Sequence, residues 1–308
     1  MEPLPPQLHA SDLAGLAEAC ADWGVFYLLG HRISPALINA QRAAANAFFA
    51  QPAERKAQVV RSASNPWGYY DQELTKNRRD WKEIFDVGPS HDGAQPQWPD
   101  GVTGFRSAIE EYAEAAHELA LQVTSAILAT LDAPAREIDG FRAHTSFLRL
   151  NRYPLCDNPA SVDAPTVPLS GELGISHHTD AGALTVLDAG SEPGLQVLNR
   201  GRWVTLPVVA DALVINVGDV VQVWSNDRYP APVHRVLASA NAERASAAYF
   251  LNPASDYAYQ PLSVDDPAYR AIRWGEFRAG RAAGDYADLG AEVQIGDYRV
   301  GPAVTASS

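Results

Sequence analysis

The first half of the chain carries its apolar residues mainly at helical spacing. Ser11 has the side chain of an N-cap, and the apolar positions after it recur every three to four residues, which predicts a first helix. A short apolar run bounded by glycines, Trp23–His31, predicts a buried strand. Ser34 followed by proline predicts the start of an Ala-rich second helix. A long apolar stripe predicts a third helix over 104–131.

From Thr145 the pattern changes to short apolar runs of strand length. Turns rich in Gly and Pro separate these runs, and many short strands at this spacing predict a β-sandwich or barrel. The predicted strands cover 147–153, 183–188, 194–198, 203–206, 212–217, 220–224, 233–237 and 246–251, and a further helix is predicted near 266–278. We therefore divide the chain into a helical and mixed N-terminal region (1–144), a β-core (145–260) and a C-terminal helix and tail (261–308).

Composition and charge narrow the classes of function. The chain has 308 residues, 46% hydrophobic and 20% charged, which is typical of a globular protein with a large core. A formal net charge of −13 argues against nucleic acid or an anionic membrane as a partner, because both need clustered Lys and Arg. The N-terminus lacks the pattern of a signal peptide, and Cys20 and Cys156 are expected to be reduced thiols, so we predict a cytoplasmic protein.

Two histidines and an aspartate form a candidate metal site. His178 and Asp180 are two residues apart, so on a strand their side chains project from the same face. His234, farther along the chain, could complete a set of two imidazoles and one carboxylate, which is typical of mononuclear non-haem Fe(II) in oxygenases. Taken alone, the motif also fits polar residues on a surface strand, and a bulge would let His177 replace His178.

A second pair of residues could bind an anion. Arg244 and Ser246 are two apart on a predicted strand, where a guanidinium offers a planar fork to a carboxylate and the hydroxyl adds a donor. Asn151 and Tyr153 share a face of another predicted strand and could add polar contacts. The simpler alternatives are a salt bridge from Arg244 to a carboxylate of the protein, such as Asp219, or an exposed arginine at a strand start.

Several motifs occur together in a known order. They are ACADWGVFYLLGH near the N-terminus, GYYDQELTKNRRDWKEIFDVG in the middle, and LRLNRYP, HTDAGALTVL, GLQV, WVTLP, LVINVGDVVQVWSND, HRV and RASAAYF towards the C-terminus. In this order and spacing the motifs resemble the 2-oxoglutarate- and Fe(II)-dependent dioxygenases, in the branch that includes isopenicillin N synthase and the plant-type enzymes. The resemblance covers nearly the whole chain.

The resemblance implies a mainly β fold, a double-stranded β-helix (jelly roll) with flanking helices and a helical N-terminal region. It implies three Fe(II) ligands: His178, Asp180 and His234. It implies a site for the cosubstrate 2-oxoglutarate built from Arg244, Ser246, Tyr153 and Asn151. Such enzymes use O₂ to convert 2-oxoglutarate to succinate and CO₂ while they oxidise a substrate. The loop 157–174 precedes the predicted metal strand closely enough to cap the pocket.

The sequence leaves the reaction and the substrate open. The alternatives to a 2-oxoglutarate-dependent dioxygenase are an Fe(II) oxidase or oxidative cyclase without the keto acid, and a metal-binding jelly-roll protein without turnover. We expect a small-molecule substrate that is hydroxylated, desaturated or cyclised in secondary metabolism, while the oligomeric state is not predicted. Aromatic residues near the expected mouth are the candidate substrate contacts: Trp67, Tyr69, Phe85 and Phe250.

Overall fold

The computed structural model describes residues 3–62, 64–90, 93–167, 169–262, 264–284 and 292–301. Within these residues the α-helices are α1 (Leu16–Asp22), α2 (Pro35–Phe49), α3 (Ala53–Lys56), α4 (Phe105–Thr130), α5 (Asp219–Trp224) and α6 (Trp274–Ala283), and short 3₁₀ helices cover Ala57–Val59, Ala135–Phe141 and Ile295–Tyr298. The earlier strands are β1 (Gln7–His9), β2 (Val25–Leu29), β3 (Gly68–Tyr70), β4 (Leu74–Thr75), β5 (Arg78–Arg79) and β6 (Glu83–Val87). The later strands are β7 (Phe147–Tyr153), β8 (Leu173–His178), β9 (Leu184–Asp188), β10 (Leu195–Asn199), β11 (Arg202–Thr205), β12 (Ala212–Val217), β13 (His234–Leu237), β14 (Arg244–Leu251), β15 (Ala258–Tyr259) and β16 (Ile272–Arg273).

Two facing sheets form the β-core. Over the described residues, the larger sheet has the order β1-β2-β12-β9-β14-β7-β6-β3 and the smaller sheet has the order β11-β10-β13-β8. Apolar side chains from both sheets, such as Tyr153, Val197 and Val236, pack together between them. Strands β7 to β14 form the smaller sheet and the centre of the larger one, which is the arrangement of a jelly roll. The fold predicted from the sequence is confirmed.

Strands from the N-terminal region extend the larger sheet on both sides. β2 pairs antiparallel with β12, and β6 pairs antiparallel with β7. α4 lies against β9 and β14, and a large apolar core fills the space between the helices and the outer face of this sheet. The three-part division of the chain stays a prediction, and residues 263, 285–291 and 302–308 of its C-terminal part lie outside the described residues.

Of the helix starts predicted from the sequence, those of α2 and α4 are correct, and that of α1 is too early. α4 begins at Phe105, inside the predicted range 104–131, and the Ser34 hydroxyl accepts a 3.1 Å hydrogen bond from the Leu37 N–H at the start of α2. The prediction that Ser11 caps the first helix is wrong, because α1 begins only at Leu16. The Ser11 hydroxyl instead lies 2.7 Å from Nδ1 of His9, so these residues form a turn before the helix.

The apolar run 220–224 is a helix and not the predicted strand. A run of this length fits a buried strand or a buried helix equally well, so periodicity cannot decide between them. Here the Asp219 N–H donates to the Asp180 carbonyl oxygen at 2.8 Å, and this bond ties the start of α5 to the loop after β8. A Cβ on Gly218 would lie 2.2 Å from the Gly182 carbonyl oxygen, so the close approach requires glycine. The predicted C-terminal helix is also shifted, from 266–278 to Trp274–Ala283.

The predicted loop 157–174 is shorter than expected, because β8 already begins at Leu173, and Val162 and Ala164 of this loop lie over the outer face of the smaller sheet. Arg235 is buried on that face and donates from Nε to Gln196 Oε1 at 2.7 Å. Both side chains also donate to the loop backbone, Arg235 to the Ala164 oxygen at 2.9 Å and Gln196 to the Val162 oxygen at 3.0 Å. Of the loop residues that the structure describes before β8 (157–167 and 169–172), none lines the cavity between the sheets.

Two observations bear on the environment of the protein. Cys20 and Cys156 are buried free thiols, as the sequence predicted. Among the helices in the described ranges, none has the length and apolar character needed to cross a membrane.

Candidate active site

The three predicted metal ligands meet beside the smaller sheet. His178 ends β8 and His234 begins β13, and the two residues are paired across these antiparallel strands. Nε2 of each histidine lies 3.6 Å from Oδ1 of Asp180, and one ligand atom from each residue lies within 4.8 Å of the others. His177 projects to the opposite face of β8 and does not line the cavity. One metal ion fits among the three ligand atoms.

Backbone carbonyl groups orient both imidazole rings. Nδ1 of His178 lies 2.8 Å from the Ser176 oxygen, and Nδ1 of His234 lies 3.0 Å from the Pro232 oxygen. Because a carbonyl oxygen only accepts, each Nδ1 carries the proton and each Nε2 presents its lone pair to the metal position. Burial, helped by the neighbouring His234, lowers the pKa of His178 to about 4, so this ring is neutral at pH 7.

Two donors hold one oxygen of Asp180 and leave the other oxygen for a metal. Thr185 Oγ1 and Asn216 Nδ2 donate to Oδ2 at 2.5 and 2.8 Å, while Oδ1 faces the histidines. Burial alone would raise the pKa of the Asp180 carboxyl, but His234, His178 and the Thr185 hydroxyl bring it below its usual range. The sequence analysis missed Thr185 and Asn216. The available signal was a polar residue inside a largely apolar strand.

α6 restrains the loop that carries Asp180. Nη2 of Arg281 donates to the Thr179 carbonyl oxygen at 2.8 Å, and Nη1 lies 3.9 Å from Oδ2 of Asp219. Burial raises the pKa of the Asp219 carboxyl to about 6. Thr179 lies between the predicted ligands His178 and Asp180 in the chain. The hydrogen bond from Arg281 therefore restrains the backbone that joins them.

The second predicted pair lies on the inner face of the larger sheet. Arg244 and Ser246 of β14 stand directly opposite Tyr153 and Asn151 of β7, so the four side chains share one face. Nδ2 of Asn151 donates to the Ser246 hydroxyl at 3.4 Å, and the guanidinium carbon of Arg244 lies 4.9 Å from the centroid of the Tyr153 ring. The structure therefore brings together the four residues expected to hold a keto acid.

Arg244 keeps one nitrogen free for a ligand. Nε donates to the Glu192 carbonyl oxygen and Nη2 to the Ala189 carbonyl oxygen, each at 3.2 Å. Nη1 is buried and has no hydrogen-bond partner among the described residues. The alternative of a salt bridge to Asp219 is excluded, because Asp219 lies beside Arg281. A buried guanidinium without a carboxylate partner fits an anionic ligand.

One cavity of about 160 Å³ contains both the metal position and Arg244. The inner faces of β14 and β7 form its floor from Arg244 at one end to Phe250 and Phe147 at the other. At the rise of a β-strand these ends are about 20 Å apart. The apolar residues that line the Arg244 end are Val25, Leu187, Leu195, Val197 and Val236. The residues of α6 that line the cavity are Trp274, Arg278 and Arg281.

A buried ionic cluster that the sequence analysis missed forms part of the cavity wall. The Glu73 carboxylate is surrounded by three cations at 2.7–3.1 Å: Lys82, Arg149 and Arg61. Burial alone would raise the pKa of Glu73, but these cations hold it well below its usual range. Asp80 pairs with Lys82 at 3.1 Å and accepts the Ser176 N–H at 3.0 Å. The cluster therefore also supports the strand that carries His178.

The four aromatic residues predicted to contact a substrate do not lie together. Phe250 lines the cavity, whereas Phe85 and Tyr69 lie in the core between the helices and the larger sheet. Trp67 packs behind Phe147 with ring centroids 5.9 Å apart and does not line the cavity either. These three residues were predicted because they were expected near the mouth of the cavity. That criterion was wrong, because the inner faces of β7 and β14 together with α6 form the end of the cavity away from Arg244. The aromatic residues that line it are Phe147, Phe250 and Trp274.

Family models and curated relatives agree with this geometry. The 2OG-Fe(II) oxygenase superfamily matches residues 144–253, and the family described as non-haem dioxygenase in morphine synthesis N-terminal matches residues 1–102. Gibberellin 2-beta-dioxygenase 6 of Oryza sativa subsp. japonica is 35% identical over 85% of this chain and 73% of its own length. Jasmonate-induced oxygenase 4 of Arabidopsis thaliana is 31% identical over 89% of this chain and 81% of its own length.

Solved structures share the whole architecture. JOX2, solved in complex with 2OG, Fe and JA, has a TM-score of 0.77 at 27% identity and covers 90% of this chain and 85% of its own. The dioxygenase for auxin oxidation in rice has a TM-score of 0.73 at 27% identity and covers 96% of this chain and 99% of its own. The chain belongs to the 2OG-Fe(II) oxygenase superfamily and is an oxidoreductase that uses Fe(II) and 2-oxoglutarate.

Proposed function

We propose that His178, Asp180 and His234 bind the catalytic Fe(II). We further propose that Arg244 and Ser246 bind the distal carboxylate of 2-oxoglutarate. The observation that carries this assignment is the unpartnered Nη1 of Arg244 in the same cavity as three converging metal ligands. Two neutral imidazoles and one carboxylate suit Fe(II) and leave coordination positions open. When bound, Fe(II) and 2-oxoglutarate supply the oxidising chemistry, which consumes O₂ and releases succinate and CO₂.

The chain's own residues bind the keto acid, orient it and exclude water from its site. Two backbone carbonyl groups fix the guanidinium of Arg244, so its free Nη1 is already directed when the keto acid arrives. Asn151 orients the Ser246 hydroxyl, and its own Oδ1 is buried without a hydrogen-bond partner in the described part of the chain. The apolar walls around Leu195 and Val197 keep this end dry, which strengthens the attraction between Arg244 and a carboxylate.

The substrate that we propose is a small molecule, oxidised by hydroxylation, desaturation or cyclisation. The volume of the cavity, about 160 Å³, supports a small substrate. The names of the relatives, gibberellin dioxygenases and a jasmonate-induced oxygenase, support a role in secondary metabolism. The buried free thiols and the net charge of −13 support a cytoplasmic location without a membrane or nucleic-acid partner.

The test is an anaerobic titration of the Fe(II)-loaded protein with 2-oxoglutarate, followed by visible absorption. We expect a metal-to-ligand charge-transfer band that is lost in Asp180→Ala. In Arg244→Gln the band should need roughly 10- to 100-fold more 2-oxoglutarate, because an ion-paired hydrogen bond is removed. Arg106→Gln, at an exposed position that pairs with Glu110, is the matched control and should leave the titration unchanged. An iron-loaded protein that forms no band would overturn the keto-acid assignment and favour the oxidase alternative.

A further inference from the structure

Glu292 is a carboxylate in the wall of the cavity that the iron and keto-acid sites do not use. Its Oε1 is buried and has no hydrogen-bond partner, and no residue in the described ranges forms a salt bridge with it. A carboxylate oxygen that is removed from water without a donor is costly, so such an atom in a folded protein needs an explanation. A ligand in the cavity that donates to Oε1 supplies one.

Two glycines of α6 leave room for Glu292 against the helix. A Cβ on Gly280 would lie 3.0 Å from Cγ2 of Val293, and a Cβ on Gly284 would lie 2.8 Å from Cγ and 3.1 Å from Oε1 of Glu292. Gly284 has a φ of −70°, so this position needs glycine for space and not for its backbone conformation. The bare face of α6 therefore sets where the carboxylate lies.

The last turn of α6 brings this carboxylate close to the metal loop. Arg281 donates from Nη1 to Gln294 Oε1 at 3.0 Å and from Nη2 to the Thr179 carbonyl oxygen at 2.8 Å. Gly284 follows Arg281 by about 4.5 Å of helix rise, whereas about 15 Å of rise separates it from the cavity-lining Trp274. Glu292 thus lies on the metal side of the cavity and away from the aromatic end.

The cations near Glu292 are not its partners. Lys76 neither lines the cavity nor forms a salt bridge with Glu292, although burial and Arg281 lower the pKa of Lys76 and Glu292 raises it. Arg281 donates to the two oxygens described above, and Arg278 in the same wall forms no salt bridge with Glu292. Hydrogen bonding at Oε1 is therefore left to a ligand.

The charges around Glu292 decide which kind of donor fits. Arg278 and Arg281 line the same wall, and Lys76 is close enough to interact with Glu292 electrostatically. These three cations would repel an ammonium group of a ligand, but they would not repel a neutral O–H or N–H group. A hydrogen bond from such a neutral donor to a carboxylate is stronger than one between two neutral groups.

We infer that Glu292 accepts a hydrogen bond from a neutral O–H or N–H group of the substrate, and that this bond orients the substrate beside the metal loop. The inference rests on the proposed function, because it assigns a substrate contact within the same cavity. Glu292 is then a determinant of substrate specificity and takes no part in iron or keto-acid binding.

The test uses the anaerobic protein loaded with Fe(II) and saturating 2-oxoglutarate. The probes are pairs of similar shape in which only the first member has a donor: cyclohexanol with fluorocyclohexane, indole with benzofuran, and 2-naphthol with 2-fluoronaphthalene. Cyclohexylamine, which is cationic at neutral pH, is the charged counterpart of cyclohexanol. Binding is measured by calorimetry and by the shift of the charge-transfer band, whose persistence shows that 2-oxoglutarate stays bound. We expect at least one donor to bind roughly 10- to 100-fold more tightly than its partner, because the partner cannot donate to the carboxylate.

Variants of two glutamates decide whether Glu292 causes this preference. Glu292→Ala should bring the two members of a pair to similar affinity. Glu292→Gln retains a neutral acceptor and should keep a preference of roughly 2- to 10-fold. Glu276→Ala is the control, because it removes an exposed carboxylate of α6 that does not line the cavity, and it should behave like the wild type. Each variant should form the 2-oxoglutarate band as the wild type does, which shows that it is folded.

The outcomes separate this inference from the proposed function. Equal affinity within every pair, binding of none of the donors, or a preference that survives Glu292→Ala would overturn the inference while the 2-oxoglutarate band still forms. Tighter binding of cyclohexylamine than of cyclohexanol would also overturn it, because the donor would then be a cation. A failure of the proposed function would show itself earlier, because the band would not form before any probe is added.

Discussion

Asn216 lies behind the metal ligand Asp180, and its replacement by alanine should weaken metal binding without removing a ligand. The amide donates to Oδ2 of Asp180 at 2.8 Å inside the protein. A buried hydrogen bond to a charged acceptor contributes about 1.5–3 kcal/mol. In Asn216→Ala, Thr185 still donates to the same oxygen, but the carboxylate is free to rotate about that single bond. Loss of such a supporting contact lowers metal affinity by roughly 10- to 100-fold, which corresponds to about 1.4–2.7 kcal/mol.

The assay is anaerobic calorimetry with Fe(II), repeated with Mn(II) by electron paramagnetic resonance, so that the result does not depend on turnover. The matched control is Asn199→Ala, because the Asn199 amide donates to the Asp22 carbonyl oxygen on the protein surface at 2.9 Å. Asn199→Ala should bind metal like the wild type. If Asn216→Ala also bound Fe(II) within twofold of the wild type, the hydrogen bond would not orient Asp180 and the reasoning would be refuted.

Two further predictions concern stability. Glu73→Gln should lower the free energy of unfolding by about 3–5 kcal/mol, because it leaves buried cations without their carboxylate. The control is Glu243→Gln, at an exposed carboxylate 2.7 Å from Arg152, which should lower it by less than about 1 kcal/mol. Urea unfolding measures both, and equal costs would contradict the prediction. Burial and then His117 lower the pKa of His144 to about 4, so the unfolded chain takes up the proton more readily and stability is lost as the pH falls from 6.5 towards 4. His144→Phe should flatten this loss in urea unfolding across that range, and an unchanged pH dependence would argue against it.

Local spacing along the chain predicted the parts of the site that depend on neighbouring residues. Arg244 and Ser246 lie together because side chains two apart on a strand share a face. The same spacing led to His178 and Asp180, which do face one metal position, although β8 ends at His178 and Asp180 lies in the loop after it. The apolar stripe of α4 and the cap at Ser34 were also visible, because each depends on residues within a few turns of helix.

Other features of the site depend on residues that are far apart in sequence. Thr185 and Asn216 matter because β9 and β12 bring them to the same oxygen of Asp180. The apolar run 220–224 is a helix because its first N–H groups bond to the loop after β8, which no local pattern shows. Tertiary packing likewise places Phe85 in the core and Phe147 in the wall of the cavity.

The sequence by itself therefore determined the family, the jelly roll and the candidate ligands of iron and 2-oxoglutarate, because these follow from periodicity and from motifs in a fixed order. The tertiary structure alone decided which side chains support those ligands, and that Nη1 of Arg244 is left without a partner among the residues that the structure describes. The physical reason is that a charge is paired or free only in relation to every group that folding brings near it.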